Sequence, residues 1–280
     1  MVDQLLQSIN VEAVAGFSAG FVTTAALYPL DVIKVRFQSG IQKEGTLASL
    51  LSLRYKHSRF ELYRGFLTGL TGSSLSWCQY FFLYSSLKSA LQTQQNVERL
   101  SPLYHLSASF AAGCVVQATL CPLWVVKVNQ QLGIFDSFWG GIRTLHRSEG
   151  VSGLYRGIVP GLWSCMHGAV QFAVYEELRS FHGEPPSVVN TLLATVASKT
   201  AATLITSPIE VIKTRMRMAS TRNFGLVQSI RAVWNEAGIA GFYRGMVPAL
   251  LRLMPAQCLM FITYEGVKAR LDQLTHNRAS

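Results

Sequence analysis

The chain has 280 residues, 49% of them hydrophobic and only 14% charged, with 25 Lys and Arg against 15 Asp and Glu for a net charge of +10. A mean hydropathy of +0.25 with so few charges excludes an ordinary soluble domain, whose charges would be spread more evenly. The basic excess could suit nucleic acid, but it falls in loops bordering apolar runs, so membrane topology explains it and no nucleic-acid partner is expected.

The N-terminus, Met-Val-Asp-Gln, has neither the basic region and cleavage pattern of a secretory signal nor an Arg-rich transit segment, so targeting information is expected to be internal. Stretches almost free of Asp, Glu, Lys and Arg follow at 13–30, 65–87, 100–126, 157–175, 185–209 and 245–264. Each is about as long as the roughly 20 residues a helix needs to cross a bilayer, which predicts six membrane helices.

Every second run closes on a related motif: Pro29-Leu-Asp-Val-Ile-Lys-Val-Arg36, Pro122-Leu-Trp-Val-Val-Lys-Val-Asn129 and Pro208-Ile-Glu-Val-Ile-Lys-Thr-Arg215. A second landmark opens the runs between, as Leu62-Tyr63-Arg64-Gly65, Leu154-Tyr155-Arg156-Gly157 and Phe242-Tyr243-Arg244-Gly245. The prolines and the arginines step in register along the chain, so the protein is a triplicated membrane unit and not a short-period soluble solenoid. Between these landmarks lie 7, 4 and 6 of the 25 basic residues. The positive-inside tendency therefore puts the three loops on the inner side and both termini opposite.

Cys78, Cys114, Cys121, Cys165 and Cys258 sit in the apolar runs without metal-ligand or His-paired spacing, so they read as packing residues and no metal or disulfide framework is expected. Small residues four apart, Gly16/Gly20, Gly65/Gly69, Gly157/Gly161 and Gly245/Ala249, are expected to let helix backbones approach in lipid.

A proline near the inner end of a membrane helix kinks it and steers charges beyond it towards a common axis. Threefold geometry predicts an inner gate in which Asp31 meets Lys127 and Glu210 meets Lys34, with Lys213 opposite Trp124. At the other end Tyr84-Ser-Ser-Leu-Lys88, Tyr175-Glu-Glu-Leu-Arg179 and Tyr264-Glu-Gly-Val-Lys268 predict an outer gate. There Glu176 is expected to meet Lys268 and Glu265 to meet Lys88, while Ser85 leaves Arg179 without its acid. Two ionic layers of low net strength, one per membrane face, suit alternating access.

These residues resemble the mitochondrial carrier family, whose signature is a threefold P-x-[DE]-x-x-[KR]-x-[KR] followed by a glycine-aromatic-basic-glycine element. The match covers essentially the whole chain. The resemblance implies an all-α membrane protein of six tilted transmembrane helices, in three pseudo-threefold repeats of two helices around a central cavity. The repeats are placed at 1–97, 98–183 and 184–280, one domain overall, with surface helices at about 46–53, 135–146 and 226–235. In that family a glutamine braces the inner gate, which Gln38 and Gln131 match and Arg217 does not. Ser58-Arg59-Phe60-Glu61 lacks the acidic-glycine pair that precedes Tyr-Arg-Gly, and Glu236 precedes Ala237-Gly238; both departures are expected to affect loop anchoring.

Trp124 in the second motif is similar to the branch carrying folate, FAD, NAD and pyrimidine nucleotides. Ser76-Trp77 leans towards folate and FAD, and the stretch around Ser207-Pro208 towards NAD and pyrimidines. The runs hold two basic residues, Lys199 and Arg252, and no Asp or Glu; ionisable groups at membrane depth face a polar cavity, and an Arg fork suits phosphate or carboxylate. Eight residues beyond each Tyr-Arg-Gly arginine lie Gly72, Ser164 and Arg252, where the family's carriers contact substrate. Trp77 and Tyr80 are candidates for stacking on a ring; Ser164, Cys165, His167 and Lys199 complete the candidate site.

The expected function is transport of an anionic nucleotide-like cofactor, FAD or folate first, then NAD or a pyrimidine nucleotide, across the mitochondrial inner membrane. The alternative is a proton- or anion-conducting or regulatory protein of the same fold. No enzyme activity, bound cofactor or metal is expected. The expected partners are the solute and the bilayer, cardiolipin included, around a monomer.

Overall fold

The computed structural model describes residues 2–41, 59–95, 102–180, 188–219 and 225–279, and every regular element among them is helical. The surface helix expected at 46–53 and the expected repeat boundaries lie outside the described residues.

In repeat one, α1 (Val2–Ser39) runs through Pro29 and, after a 3-10 turn at Arg59–Tyr63, α2 (Phe66–Gln95) returns. In repeat two, α3 (Pro102–Thr119) and α4 (Cys121–Gln131) form one broken span bent by 63°. The loop helices α5 (Phe138–Glu149) and α6 (Val151–Leu154) lead to α7 (Ile158–Ser164) and α8 (Met166–Ser180), which abut at Cys165. Repeat three comprises α9 (Val188–Arg217), the loop helix α10 (Leu226–Gly241) and α11 (Met246–Ala279).

The helices form a closed ring. α1 packs chiefly on α11, α2 on α3, and α9 on α7 and α8, with lesser contacts closing the remaining gaps. Large apolar side chains such as Leu67, Phe82, Ile205 and Ile262 stay exposed, which suits contact with lipid. Judged by average hydropathy, among the described residues Met246–Arg270 alone passes as a membrane span, joined by the bent α3–α4 pair. Two of the others, α1 and α9, turn polar groups towards a common cavity, Asp31 and Lys34 from the first and Lys199, Thr203 and Thr206 from the second, which lowers their mean hydropathy.

Prolines do not act alike in the three repeats. Pro29 and Pro208 lie within continuous helices, whereas Pro122 stands in the first turn of α4 just past the break at Leu120, a position that tolerates the missing N–H. Before each proline stands a side-chain donor that ties the helix to its own Tyr-Arg-Gly element. The Tyr28 hydroxyl donates to Arg64 O at 3.0 Å, the Cys121 thiol to Arg156 O at 3.9 Å and the Ser207 hydroxyl to Phe242 O at 3.3 Å.

The glycines of the same element join one repeat to the next. Gly65, Gly157 and Gly245 all have positive φ (74°, 69° and 80°). A Cβ at each would lie 3.4, 3.1 and 2.8 Å from the main-chain oxygens of Lys127, Lys213 and Lys34 respectively. Handedness and close approach both favour glycine here. By contrast Gly16 and Gly20 face open space, with nothing within 4 Å, so the close packing expected of that pair is not made.

Loop helices differ from expectation at their ends. α5 starts at Phe138 and not at 135 because Ser137 caps it, accepting from Gly140 N at 3.1 Å. Phe135 instead joins the core of Cys121, Val125, Val126 and Leu145. α10 continues beyond 235 through a break at Ala237 and Gly238, the latter at φ 56°.

Candidate substrate cavity and gates

Between α1, the α7–α8 junction, α9 and α11 lies a cavity of about 520 Å³. Its charged lining comprises four cations, Lys34, Lys199, Lys213 and Arg252, against two anions, Asp31 and Glu210. Ser164 and His167 also line it. His167 Nδ1 is hydrogen-bonded to Thr206 Oγ1 at 2.8 Å, and Lys213 Nζ donates to Ser164 Oγ at 3.1 Å. A surplus of positive charge in a cleft walled by lipid-facing helices attracts anions.

A second cavity of about 640 Å³ lies between α2, α3 and the α7–α8 junction. Its walls are mostly apolar and aromatic, including Tyr80, Phe110, Cys165 and Phe172, with one polar pair where Tyr84 OH meets His105 Nδ1 at 2.8 Å. Ser164 and Cys165, adjacent in the chain, line different cavities, so the helix junction separates the cationic space from the aromatic one.

Two residues expected at the substrate lie elsewhere. The space beside Gly72 is filled by Leu123, with the Trp124 ring 3.6 Å from a Cβ placed there, so no planar ligand can lie against that glycine in this conformation. Trp77 is 61% exposed, outside the lining of both cavities, and stacks on Phe81 at 5.6 Å.

The inner ends of α1, α4 and α9 are drawn together, with the expected pair of Glu210 and Lys34 made and the expected pair of Asp31 and Lys127 not made. Asp31 bonds Arg252, Oδ1 to Nη1 at 2.7 Å, in place of Lys127. Lys127 instead lies over the Trp124 ring, 5.0 Å from its centroid. Glu210 is shared: it is hydrogen-bonded to Lys213 one helical turn on, and Lys34 of repeat one approaches to 4.0 Å. Lys213 thus faces Glu210 and Ser164, not Trp124.

Polar ties complete the inner closure. Gln38 Oε1 accepts from Thr214 Oγ1 at 2.8 Å, and Gln131 Nε2 donates to the Tyr28 hydroxyl at 3.3 Å. Asn129, fully buried where the other motifs have arginine, donates to Val125 O and Arg217 O, each at 2.8 Å, and accepts from Ala219 N at 2.7 Å. Arg217 is buried, with Nε and Nη2 lacking hydrogen-bond partners.

Loop anchoring survives the sequence departures. Glu61 pairs with Arg36 at 3.9 Å and Glu149 with Arg156 at 2.5 Å. Glu236 takes Arg215 through both carboxylate oxygens, at 2.8 and 2.5 Å, and Arg244 at 3.0 Å. The Arg215 Nε also donates to Gln38 O at 3.0 Å, capping α1 from the neighbouring repeat. Those Arg215 hydrogen bonds, seconded by Arg244, hold the Glu236 carboxyl below the usual carboxylate range.

At the outer side, among the described residues, no ion pair joins Glu176 to Lys268 or Glu265 to Lys88; Lys268 Nζ lies 5.7 Å from the Tyr264 ring centroid. The conformation is closed by side-chain links on the inner side.

The donors before the prolines and the buried Asn129 escaped the sequence reading. Their signal was a hydrogen-bonding residue at one fixed place in all three motifs, and a polar residue at a position that is basic in the other two.

Comparison with known proteins covers the same architecture. The family model described as mitochondrial carrier protein matches three times, over residues 7–95, 98–186 and 184–274. The chain is 35% identical to Folate transporter 1, chloroplastic, of Arabidopsis thaliana, over 93% of this chain and 95% of that protein. It is 29% identical to the Mitochondrial FAD carrier protein FLX1 of Saccharomyces cerevisiae, over 97% of this chain and 100% of that one. With Nicotinamide adenine dinucleotide transporter 2, mitochondrial, of Arabidopsis thaliana it shares 32% identity over 93% of this chain and 79% of the relative.

Proposed function

Since the chain belongs to the mitochondrial carrier family, and so is a membrane transporter and not an enzyme, we propose that it carries an anionic nucleotide-like cofactor across the mitochondrial inner membrane by alternating access. Folate or FAD comes first, then NAD or a pyrimidine nucleotide, following the names of its relatives. The carrying observation is the cationic cavity, where Lys199 and Arg252 stand at membrane depth beside Ser164 and His167. A phosphate or carboxylate binds there through charge-assisted hydrogen bonds.

The aromatic cavity suits a fused-ring group, with Tyr80 and Phe172 offering faces and Cys165 at the boundary. Small-solute transport by a monomer in the bilayer needs nothing beyond the three repeats of one chain. Glu176 with Lys268 and Glu265 with Lys88 form the outer layer once the inner links release.

Uptake of labelled folate, FAD and NAD into liposomes holding the purified protein tests this reading. Arg252→Ala abolishes uptake while leaving a folded protein. Undiminished uptake by that variant refutes the assigned site, and substrate-independent conductance with no uptake of any cofactor refutes the cofactor reading in favour of a leak protein.

A further inference from the structure

We infer that His105, held in place by Tyr84, reads the ring of the substrate, and that this ring is a fused heteroaromatic system with a carbonyl on its edge, as in pterins and isoalloxazines. The inference rests on the cofactor-carrier reading and adds which class of cofactor fits and which side chain selects it.

Ligand sites are mostly apolar walls with a few placed polar groups that fix orientation, and the aromatic cavity has that make-up. Tyr80 on α2 and Phe172 on α8 give it ring faces, while His105 and Ser109, one turn apart on the same face of α3, give it a polar edge. Its boundary with the cationic cavity is the step from Ser164 to Cys165. A molecule lying across that step puts a ring on one side and an acidic tail towards Arg252 on the other.

Tyr84 fixes the histidine. Its hydroxyl meets His105 Nδ1 at 2.8 Å, and its ring lies parallel to that of Tyr80, 6.1 Å away with 5° between the planes. A phenol donates more strongly than a neutral imidazole, so Nδ1 accepts and the imidazole hydrogen sits on Nε2. No partner for Nε2 stands among the described residues. A carbonyl on the edge of a bound ring accepts from it, whereas an all-carbon edge leaves that donor unsatisfied in an apolar space.

Scaffold ties recur in threes, as those of Tyr28, Cys121 and Ser207 do. This pair does not, because seventeen residues before the three motif prolines stand Glu12, His105 and Thr191. A feature found once in a threefold ring suits a ligand that has no threefold symmetry.

Dissociation constants are measured calorimetrically on the full-length protein in detergent for folate, FAD and NAD. Two ring-free probes accompany them: p-aminobenzoylglutamate keeps the acidic tail of folate without the pterin, and ADP keeps the diphosphate of FAD without the isoalloxazine. His105→Leu weakens binding of folate or FAD at least about fivefold and leaves the ring-free probes within about twofold of wild type. His105→Gln, whose amide nitrogen offers a donor near the place of Nε2, stays within about threefold for every probe.

Equal losses for ring-bearing and ring-free probes at His105→Leu, or no loss, overturn the inference. So does binding of NAD with neither folate nor FAD, which leaves the cofactor-carrier reading standing. Should His105→Leu not fold, Tyr84→Phe decides: a loss of about twofold or more confined to folate and FAD upholds the inference, and any other result overturns it. Affinity that falls for every probe at Arg252→Ala and for none at His105→Leu defeats this inference alone. Wild-type affinity at Arg252→Ala defeats the site reading and the inference together.

Discussion

Replacing Asn129 by leucine should loosen the inner closure between the second and third repeats by an amount that can be worked from three hydrogen bonds. The side chain is fully buried, donates to Val125 O and Arg217 O, and accepts from Ala219 N. Val125 O also belongs to the helical ladder of α4, so it keeps a partner. Arg217 O and Ala219 N lie at and beyond the end of α9, where no further turn of helix replaces the lost bonds. A buried polar group left unsatisfied costs about 1–3 kcal/mol, so two cost about 2–6 kcal/mol. Leucine is the bulkier side chain, so no void is left, and any overpacking at this fully buried site adds to the loss. For a protein of this size about 2–4 °C of Tm accompanies each kcal/mol, giving a fall of at least about 4 °C. Tryptophan emission during thermal unfolding of the detergent-solubilised protein reads it. A fall under about 2 °C would mean that water reaches those groups, and that Asn129 does not hold the repeats together.

Two further outcomes follow from the loops. The Glu236 carboxyl is held below its usual range by Arg215 first and Arg244 second, so the stabilisation it brings is complete above the ordinary carboxylate range and lost as pH falls through the depressed folded value. Wild type should therefore exceed Glu236→Gln in Tm at pH 7, with the gap closing below about pH 4; a gap independent of pH refutes the linkage. Gly245→Ala should destabilise more than Gly150→Ala in the same thermal assay. Both residues have positive φ, 80° and 67°, but only the first would drive a Cβ within 2.8 Å of Lys34 O. Left-handed strain alone costs about 1–2 kcal/mol, and equal losses would mean that the inter-repeat contact is slack.

The triplicated architecture was readable because it is written in local terms: charge-free runs, a recurring proline and a recurring Tyr-Arg-Gly. Pairings across the cavity were less readable. Symmetry assigned Asp31 to the lysine of the next repeat, yet Arg252 belongs to no repeated motif and its long fork reaches Asp31 from α11. Glu210 shows the same limit, since Lys213 on its own helix competes with the neighbour that symmetry nominates. Gly72 misled for a related reason: an absent side chain marks space, but the sequence does not say that Leu123 fills it. The hydroxyls and thiol before the prolines differ in residue type, so their common role emerges only when each donor is seen against a main-chain oxygen.

At the inner ends, the three joints between repeats are fastened unequally. Repeat three holds repeat one through Thr214, Arg215, Glu210 and Arg252, and holds repeat two through Asn129, Ser164 and the Arg156 bond to Met218 O at 3.0 Å. Among the described residues, repeats one and two are tied by the 3.3 Å hydrogen bond from Gln131 to Tyr28 at their inner ends and, further from that end, by the 2.9 Å bond from Thr119 to Gln79. A threefold scaffold fastened in this way parts like a book, not like an iris. The spine lies along repeat three, and the first crack for water runs between α1 and α4.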